Sequence, residues 1–521
     1  MECCLQECGF TGKTYTYAQL RKISIRLASF LVKLGLQPND VVTLILPNIA
    51  EFPAALLGAL EAGLIVSPIN PLYTADEILQ QVEDSNCKCI ITHTECLSKA
   101  ISVQTSVKSS THSFLNVICI NDSHEKNIPE GIINFSEIIK EDIDTSSLIK
   151  RRQGIKLDDT ALLPYSSGTT GMPKGVCLTH NSLNANIAQL MHPSVNLIEP
   201  STGDYQSVVP GILPFFHLYG LGVVMFHALK KGAKLATLPK FDIQAFLKLL
   251  YDNKEITLYV APPVILFLGS HPSVKPEHLE HINSIITGGA PCGVPDIERI
   301  QDKRRINIFQ GISYGMTEAS PVVTFPSNTC SDVSSVGAPI SLTLGKVVCP
   351  KNPSIDLSIG EIGELCFKGP QIMKGYHNQP LATANTIDKD GWLHTGDLGY
   401  VLNNDNFTVV DRVKELIKVK GFQVAPAELE EVLRTHPDIE DAGVTSLPCK
   451  YSGETPVAFI VPKGSSSKLD TTQIQEYVSK KVAPYKQISQ VFKIDKIPKS
   501  LSGKILRREL KLIVEEMERK K

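Results

Sequence analysis

From Thr16 onward the chain alternates amphipathic helical stretches with short apolar runs, and no other feature restricts its fold as much. Ala18 to Leu31 repeats its apolar residues every three or four positions, the signature of a helix with one buried face. Val41-Val-Thr-Leu-Ile-Leu46 reads as a strand, Phe52 to Ala62 as a helix, and Ile65-Val-Ser-Pro-Ile69 as a strand again. Strands that alternate with helices belong to a parallel α/β sheet, because the helix carries the chain back across the sheet face. A chain of 521 residues is too long for one core, so two or more domains are expected. From Val336 to Val410 the pattern changes to short strands separated by Gly and Asn turns, a β-rich subdomain. Past Asp411-Arg412, Lys414 to Val424 reads as a hairpin turning at Gly421. Pro426 then starts a helix striped by Leu429, Val432 and Leu433. Two strand-like runs, 442–447 and 456–461, and a helix near 472–481 complete a small α+β domain. The expectation is therefore α/β: a large N-terminal domain over 1–411, containing the β-rich 336–410, and a small mobile α+β domain over 412–521.

Composition excludes several function classes. The net charge of −2 and the lack of a basic block leave no nucleic-acid surface. Thirteen cysteines are an odd, scattered number, and Cys3, Cys4 and Cys8 lack the second half of a zinc site, so reduced thiols in the cytosol are expected. Ile212 to Leu229 is almost wholly apolar, but it contains Pro214, His217, His227, Gly220 and Gly222. It is read as a buried helix lining a pocket and not as a membrane span. Polar loops are expected near 121–131, 193–207 and 462–468.

Tyr165-Ser-Ser-Gly-Thr-Thr-Gly-Met-Pro-Lys-Gly175 is built to hold a polyphosphate. Its glycines let backbone N–H groups approach an anion. The hydroxyls of Ser166, Ser167, Thr169 and Thr170 can donate to phosphate oxygens, with Gly168 at the turn and Lys174 supplying charge. A strand at Thr160–Leu163 and a helix capped by Asn181 or Ser182 flank it, an arrangement in which anions bind readily. It is not a Walker A loop, because no Gly-Lys-Ser/Thr follows at the required spacing. The competing reading is a flexible linker, which would need neither Lys174 nor the flanking strand.

Five further motifs follow in order: Leu213-Pro-Phe-Phe-His-Leu-Tyr-Gly220, Thr287-Gly-Gly-Ala-Pro291, Tyr314-Gly-Met-Thr-Glu318, Trp392-Leu-His-Thr-Gly-Asp-Leu-Gly399 leading to Asp411 through Gly421, and Pro498 through Arg507. With the Ser/Thr/Gly loop, this series resembles the adenylate-forming superfamily over nearly the whole chain. The likeness is greatest to the branch of 4-coumarate–CoA ligases, fatty acyl-CoA synthetases and luciferases. The resemblance implies an ATP- and Mg²⁺-dependent carboxylate–CoA ligase that makes an acyl-adenylate and then a thioester with coenzyme A.

Site roles come from the same resemblance. It implies that Lys504 serves adenylation between the α-phosphate and the substrate carboxylate, and that Lys418 serves thioester formation. His217 is then the acyl-pocket histidine, and Glu318 helps hold Mg²⁺. Thr317 bonds the α-phosphate, Asp397, read as lying in a Gly-flanked turn, holds the ribose with Arg412, and Lys414 is the hinge lysine. Lys420 and Gly421 lie against CoA, and Lys240 is assigned to cofactor binding. Tyr219, Val223, Gly288, Gly289, Met316, Pro321 and Val322 are expected to line the acid pocket. Hydroxycinnamate ligases carry a serine at the place of Val223 and a lysine at that of Ile286. Both positions are apolar here, so a fatty or other apolar acid is expected, with Gly288 and Gly289 leaving room for an extended chain.

Alternatives to this reading are a hydroxycinnamate ligase, a luciferase-type oxygenase, or a degenerate relative that only binds nucleotide or acyl groups. Two departures support the last. The Thr14-Tyr-Thr-Tyr motif starts early, where relatives usually carry several dozen preceding residues, as a truncated sequence would. Ile312-Ser313 stands where the family reads Gln-Gly before Tyr-Gly-Met-Thr-Glu, so either two residues are inserted after Gly311 or the Gln-Gly pair is replaced. A monomer or weak dimer is expected. The resemblance also allows a peroxisomal location, but the C-terminus, Glu518-Arg-Lys-Lys521, is no Ser-Lys-Leu-type signal.

Overall fold

The computed structural model describes residues 4–107, 115–121, 128–140, 146–166, 173–290, 292, 294–304, 309–327, 334–412, 415–419, 422–449, 453–463, 469–482, 484–500 and 503–519. The first predicted helix is present as Tyr17–Lys33. It starts on a capping box in which the Thr16 hydroxyl accepts the Gln19 amide and the Gln19 side chain accepts the Thr16 amide. Leu20, Ile23, Leu27 and Leu31 form its buried stripe. Strand Val41–Ile45 is buried on both faces, as a central parallel strand must be.

Two large sheets follow. One runs in the order Gly375–Tyr376, Lys174–Thr179, Thr160–Leu162, Ile65–Pro68, Val41–Ile45, Cys87–His93, Asn116–Ile120, Ile133–Asn134, and it is parallel from Thr160–Leu162 onward. The other runs Ala338–Pro339, Val322–Phe325, Phe309–Gly315, Ile282–Gly288, Ile256–Val260, Val208–Gly211, Lys234–Thr237, Cys4–Cys8, Thr14–Thr16. Its strands from Phe309–Gly315 to Cys4–Cys8 are parallel. One core joins the two sheets. It takes Leu44 and Val66 from the first, Val209 and Ile286 from the second, and Leu27, Phe52 and Val224 from helices between them.

A five-stranded antiparallel sheet lies in the order Asn352–Asp356, Leu344–Cys349, Gly363–Lys368, Leu393–Val401, Phe407–Arg412. The β-rich stretch also reaches beyond this sheet: Ala338–Pro339 and Gly375–Tyr376 are edge strands of the two large sheets. The C-terminal sheet pairs Phe422–Val424, Ile417–Val419, Gly453–Pro462 and Ile439–Cys449 antiparallel, and Gln490–Lys493 joins parallel. Helices Pro426–Arg434, Thr471–Ser479 and Arg507–Arg519 belong with it. Arg507 ties it together, bonding Glu415, Glu430 and the Val444 carbonyl.

Four expectations are corrected. The cap of helix His180–Leu190 is Thr179, with Ser182 at the third position closing a capping box, so neither Asn181 nor Ser182 is the cap. The apolar stretch 212–229 is helical only from Tyr219, first with π-helical bonding to Phe226 and then as α-helix His227–Lys231. Asp397 stands inside strand Leu393–Val401, not in a turn. Ile312 and Ser313 insert no loop: Phe309–Gly315 is one strand, with Ile312 opposite Thr287 and Ser313 opposite Gly288. The register shift falls earlier, between the partners of Phe309 and Gly311. Among the described residues no helix is long and apolar enough to cross a membrane. The loop at 121–131 is described only in part, as is that at 462–468.

Candidate active site

The polyphosphate loop closes a strand pair. Ser166 lies opposite Lys174, where Tyr165–Ser166 pairs with Lys174–Thr179. Tyr165 anchors the entry, its hydroxyl donating to Asp84 at 2.5 Å. Ser167, Gly168, Thr169 and Thr170 lie outside the described residues. Ser166 and Tyr376 both donate to the same carboxylate oxygen of Glu318, at 3.1 and 2.8 Å. The Lys174 amine stands 4.9 Å from the centre of the Tyr376 ring, a cation–π contact. Burial, then the neighbouring Glu318 charge, pushes the Tyr376 hydroxyl well above its usual range, so it remains a donor. Glu318 is buried on the short turn Thr317–Ala319, which also carries Thr317. The Met373 amide donates to the Glu318 carbonyl and fixes that turn. Two hydroxyl donors, a carboxylate and an amine thus converge from Tyr165–Ser166, Lys174–Thr179, Thr317–Ala319 and Gly375–Tyr376.

A second group adjoins it along the chain. The Tyr314 hydroxyl donates to Asp397 at 2.6 Å, and Asp397 faces Arg412 across strands Leu393–Val401 and Phe407–Arg412. The side chain of Arg412 lies outside the described residues.

The third group surrounds His217. His217 precedes helix Tyr219–Phe226, and its Nδ1 accepts the Tyr219 amide at 3.2 Å, which leaves the proton of a neutral ring on Nε2. Desolvation, then the charge of Lys504, lowers its pKa to about 4. Lys504 comes from the far end of the chain, on the exposed turn that follows Gly503. A Cβ built on Gly503 would stand 2.8 Å from Cδ of Pro263, and its φ of +84° suits glycine, so this turn rests directly on helix Pro262–Ser270. Tyr219 donates to the Val260 carbonyl at 3.3 Å, and Val223 and Ile286 are buried in the same core. Pro321 packs against Gly222 of the Tyr219 helix, and its carbonyl accepts the Met316 amide. Asn186 clasps both backbone groups of Val322, at 2.9 and 3.2 Å.

Gly288 does not leave the open space expected of it. A Cβ there would lie 2.6 Å from the Ser313 hydroxyl, so Ser313 already fills that wall, donating to the Thr287 carbonyl and bonding the Tyr219 hydroxyl. Gly289 follows at φ +82°.

Other candidates lie elsewhere. Lys240 is exposed, with its amine 5.9 Å from the centre of the Phe10 ring. The backbone of Lys418 is in strand Ile417–Val419, but its side chain lies outside the described residues, as do Lys414, Lys420 and Gly421. A groove of about 450 Å³ lined by Tyr17, Leu20, Leu57, Leu60 and Leu229 shares no residue with these groups. Sequence reasoning missed Tyr376, the Tyr314–Asp397 bond and Ser313. The available signals were the Gly375-Tyr376 pair and the Ser313 departure itself.

The chain matches the AMP-binding enzyme family over residues 3–377 and the AMP-binding enzyme C-terminal domain over residues 428–504. It is 40% identical to 4-coumarate–CoA ligase 1 of Arabidopsis thaliana over 509 residues, 96% of this chain and 88% of that protein. It is equally 40% identical to 4-coumarate:CoA ligase 1 of Petunia hybrida, over 96% of this chain and 90% of that one. Among solved structures, ATP-bound MatB from Rhodopseudomonas palustris shares the fold at a TM-score of 0.87 and 25% identity, covering 99% of this chain and 96% of its own. o-Succinylbenzoate CoA synthetase from Bacillus subtilis, solved with an acyl-adenylate, follows at 0.79 and 26%, covering 98% and 95%. The motifs expected to share one site stand on a fold whose solved neighbours hold ATP and an acyl-adenylate, and the chain belongs to the AMP-binding enzyme family of the adenylate-forming superfamily.

Proposed function

We propose that this protein is an AMP-forming acid–thiol ligase acting on arylpropenoic acids of the 4-coumarate class. The observation that supports the ligase reading is the turn carrying Lys504, which comes from the C-terminal region and is seated by Gly503 on Pro262 and Pro263, close in the chain to the Val260 carbonyl that Tyr219 bonds. A carboxylate oxygen attacks the α-phosphorus of ATP, the bond to pyrophosphate breaks, and an acyl-adenylate forms. Lys504 stands between two anions that must approach each other, and it offsets the charge that builds at phosphorus. Ser166 and Lys174, with Thr169 and Thr170, hold the β- and γ-phosphates, Thr317 bonds the α-phosphate, and Asp397 with Arg412 takes the ribose hydroxyls.

Glu318 and the Ser166 hydroxyl offer oxygen donors of the kind Mg²⁺ prefers, so they would hold that ion. Bound there, it neutralises pyrophosphate charge. In the second half-reaction the unit beyond Asp411-Arg412 rotates about Lys414 and brings Lys418 and Lys420-Gly421 to the site. The CoA sulfur attacks the acyl carbon and AMP leaves.

The names of the relatives favour the hydroxycinnamate class over the fatty acid expected from Val223 and Ile286. Ser313, filling the Gly288 wall, supports the same reading, since a narrowed slot suits a flat ring. The apolar Val223 and Ile286 leave a phenol hydroxyl without a partner there, at about 1–3 kcal/mol. They are the one observation favouring a second reading, an aliphatic acid. Pyrophosphate exchange with cinnamate, 4-coumarate, hexanoate, laurate and palmitate decides between them. The expected order of kcat/KM places cinnamate first and 4-coumarate about tenfold lower. Laurate or palmitate ahead of both aryl acids would establish the second reading.

A further inference from the structure

The five-stranded sheet carries a cluster that the nucleotide and acid chemistry does not use. Glu364 and Cys366 lie two residues apart on strand Gly363–Lys368, so they share a face, and His394 stands directly opposite Cys366 on strand Leu393–Val401. The His394 Nδ1 is 3.4 Å from the Cys366 sulfur and 3.0 Å from Glu364 Oε2, and the three donor atoms all lie within 4.8 Å of one another. Bonds of about 2.0–2.3 Å from zinc to nitrogen, oxygen and sulfur, set tetrahedrally, give donor separations of roughly 3.3–3.6 Å. The cluster is near that geometry before any ion arrives.

The outer groups fit the same chemistry. Asp388 Oδ2 lies 3.7 Å from the other ring nitrogen of His394, and Asp388 is itself fixed, its Oδ1 accepting the amides of Asp390 and Trp392 at 2.9 Å. A carboxylate behind the remote nitrogen is the usual orienting partner of a metal-bound histidine. Gly396 N–H donates to the second Glu364 oxygen at 3.0 Å, which holds that side chain in place. Lys346 shares the face, opposite Cys366, but its amine is engaged by Asp356 at 2.9 Å and lies over the Trp392 ring. Cys366 is fully buried, whereas the side chains of Glu364 and His394 keep 15% and 17% of their surface, enough to admit an ion from their side.

We propose that Glu364, Cys366 and His394 form a three-donor site for a divalent metal of the zinc class, with a fourth position left to water. Binding displaces one proton from the Cys366 sulfur to solvent, while the His394 ring binds as neutral imidazole through Nδ1 and carries its proton on Nε2, towards Asp388. A thiolate and an imidazole among the donors select zinc, cobalt or cadmium over magnesium and calcium. The ion would also stiffen the strand that presents Asp397, since the same Glu364 holds Gly396.

The test is calorimetric titration of the reduced full-length protein with Zn²⁺, repeated with Mg²⁺, and a parallel Co²⁺ titration read for a thiolate-to-metal charge-transfer band. Other thiols bind zinc too, so the decisive quantity is the difference from Cys366→Ser, with Cys349→Ser as control. The proposal expects wild type and Cys349→Ser to bind one equivalent more than Cys366→Ser and His394→Gln, and Glu364→Gln to bind that equivalent at least tenfold more weakly. Circular dichroism without metal establishes that each variant is folded. Should Cys366→Ser not fold, His394→Gln and Glu364→Gln decide alone. Equal stoichiometry in wild type and in whichever of Cys366→Ser and His394→Gln folds, or a Co²⁺ band as strong in those variants as in wild type, would overturn the site.

Discussion

A lysine amine beside an imidazole keeps the ring neutral, and at His217 desolvation acts in the same direction. The positive charge beside this ring therefore comes from Lys504 and not from the imidazole. Lys504→Ala should lower pyrophosphate exchange by about 10²–10³, the loss seen when one preorganised charge-stabilising donor is removed. It should still convert a supplied acyl-adenylate and CoA to thioester, whereas Lys418→Ala should do the reverse. Following the two half-reactions separately checks this, and an equal loss of both in both variants would refute the division. Both assignments rest on the motifs that carry these lysines. Tyr376 and Tyr314 were not, because their roles arise from contacts across 58 and 83 residues, to Glu318 and Asp397. Ser313 looked like a defect in a nucleotide motif, and only its contact with Gly288 and Tyr219 places it in the acid pocket.

Elements with a clear period were readable. Tyr17–Lys33 has one apolar stripe, and Pro426–Arg434 begins at its proline. Tyr219–Phe226 was readable as a buried helix but not in its bonding, since it is apolar on every face and periodicity cannot separate α from π in such a segment. The next helix, His227–Lys231, buries a titratable group. His227 bonds Asn196 and Tyr259, and burial, followed by the Lys231 charge, lowers its pKa from 6.5 to about 3. The unfolded chain then takes up this proton first as the pH falls. Stability is complete above about pH 6.5 and declines below it until the folded-state value is reached, at about 1.4 kcal/mol per pH unit. His227→Gln should flatten the fall in urea stability between pH 6 and pH 4.5 by about that slope, leaving the share due to His217. A variant that declines as steeply as wild type would show that His227 titrates normally.

Across the whole molecule, the parallel α/β sheets were legible from alternation and the β-rich stretch from its turns, but the one core that joins the two large sheets was not legible. That Ala338–Pro339 and Gly375–Tyr376 leave the β-rich stretch to edge the large sheets was not, because two-residue strands carry no pattern of their own. The turn that carries Lys504 meets the N-terminal region at Gly503, which rests on Pro262 and Pro263. Gly503→Val adds bulk where a Cβ would already clash, at a φ that branched residues avoid. It should reduce pyrophosphate exchange at least tenfold and leave thioester formation from supplied adenylate within about twofold, because only the first step needs that contact. Comparable loss of both steps would mean that the turn serves folding and not docking. The contact has a further consequence for the product of the first step. An acyl phosphate anhydride decomposes in water, and on the proposed reading the turn that brings Lys504 towards His217 also covers the product of the first step. A protein deprived of thiol should therefore hold one such molecule per chain, sheltered from hydrolysis, and stop after a single turnover instead of spilling activated acid into the cell.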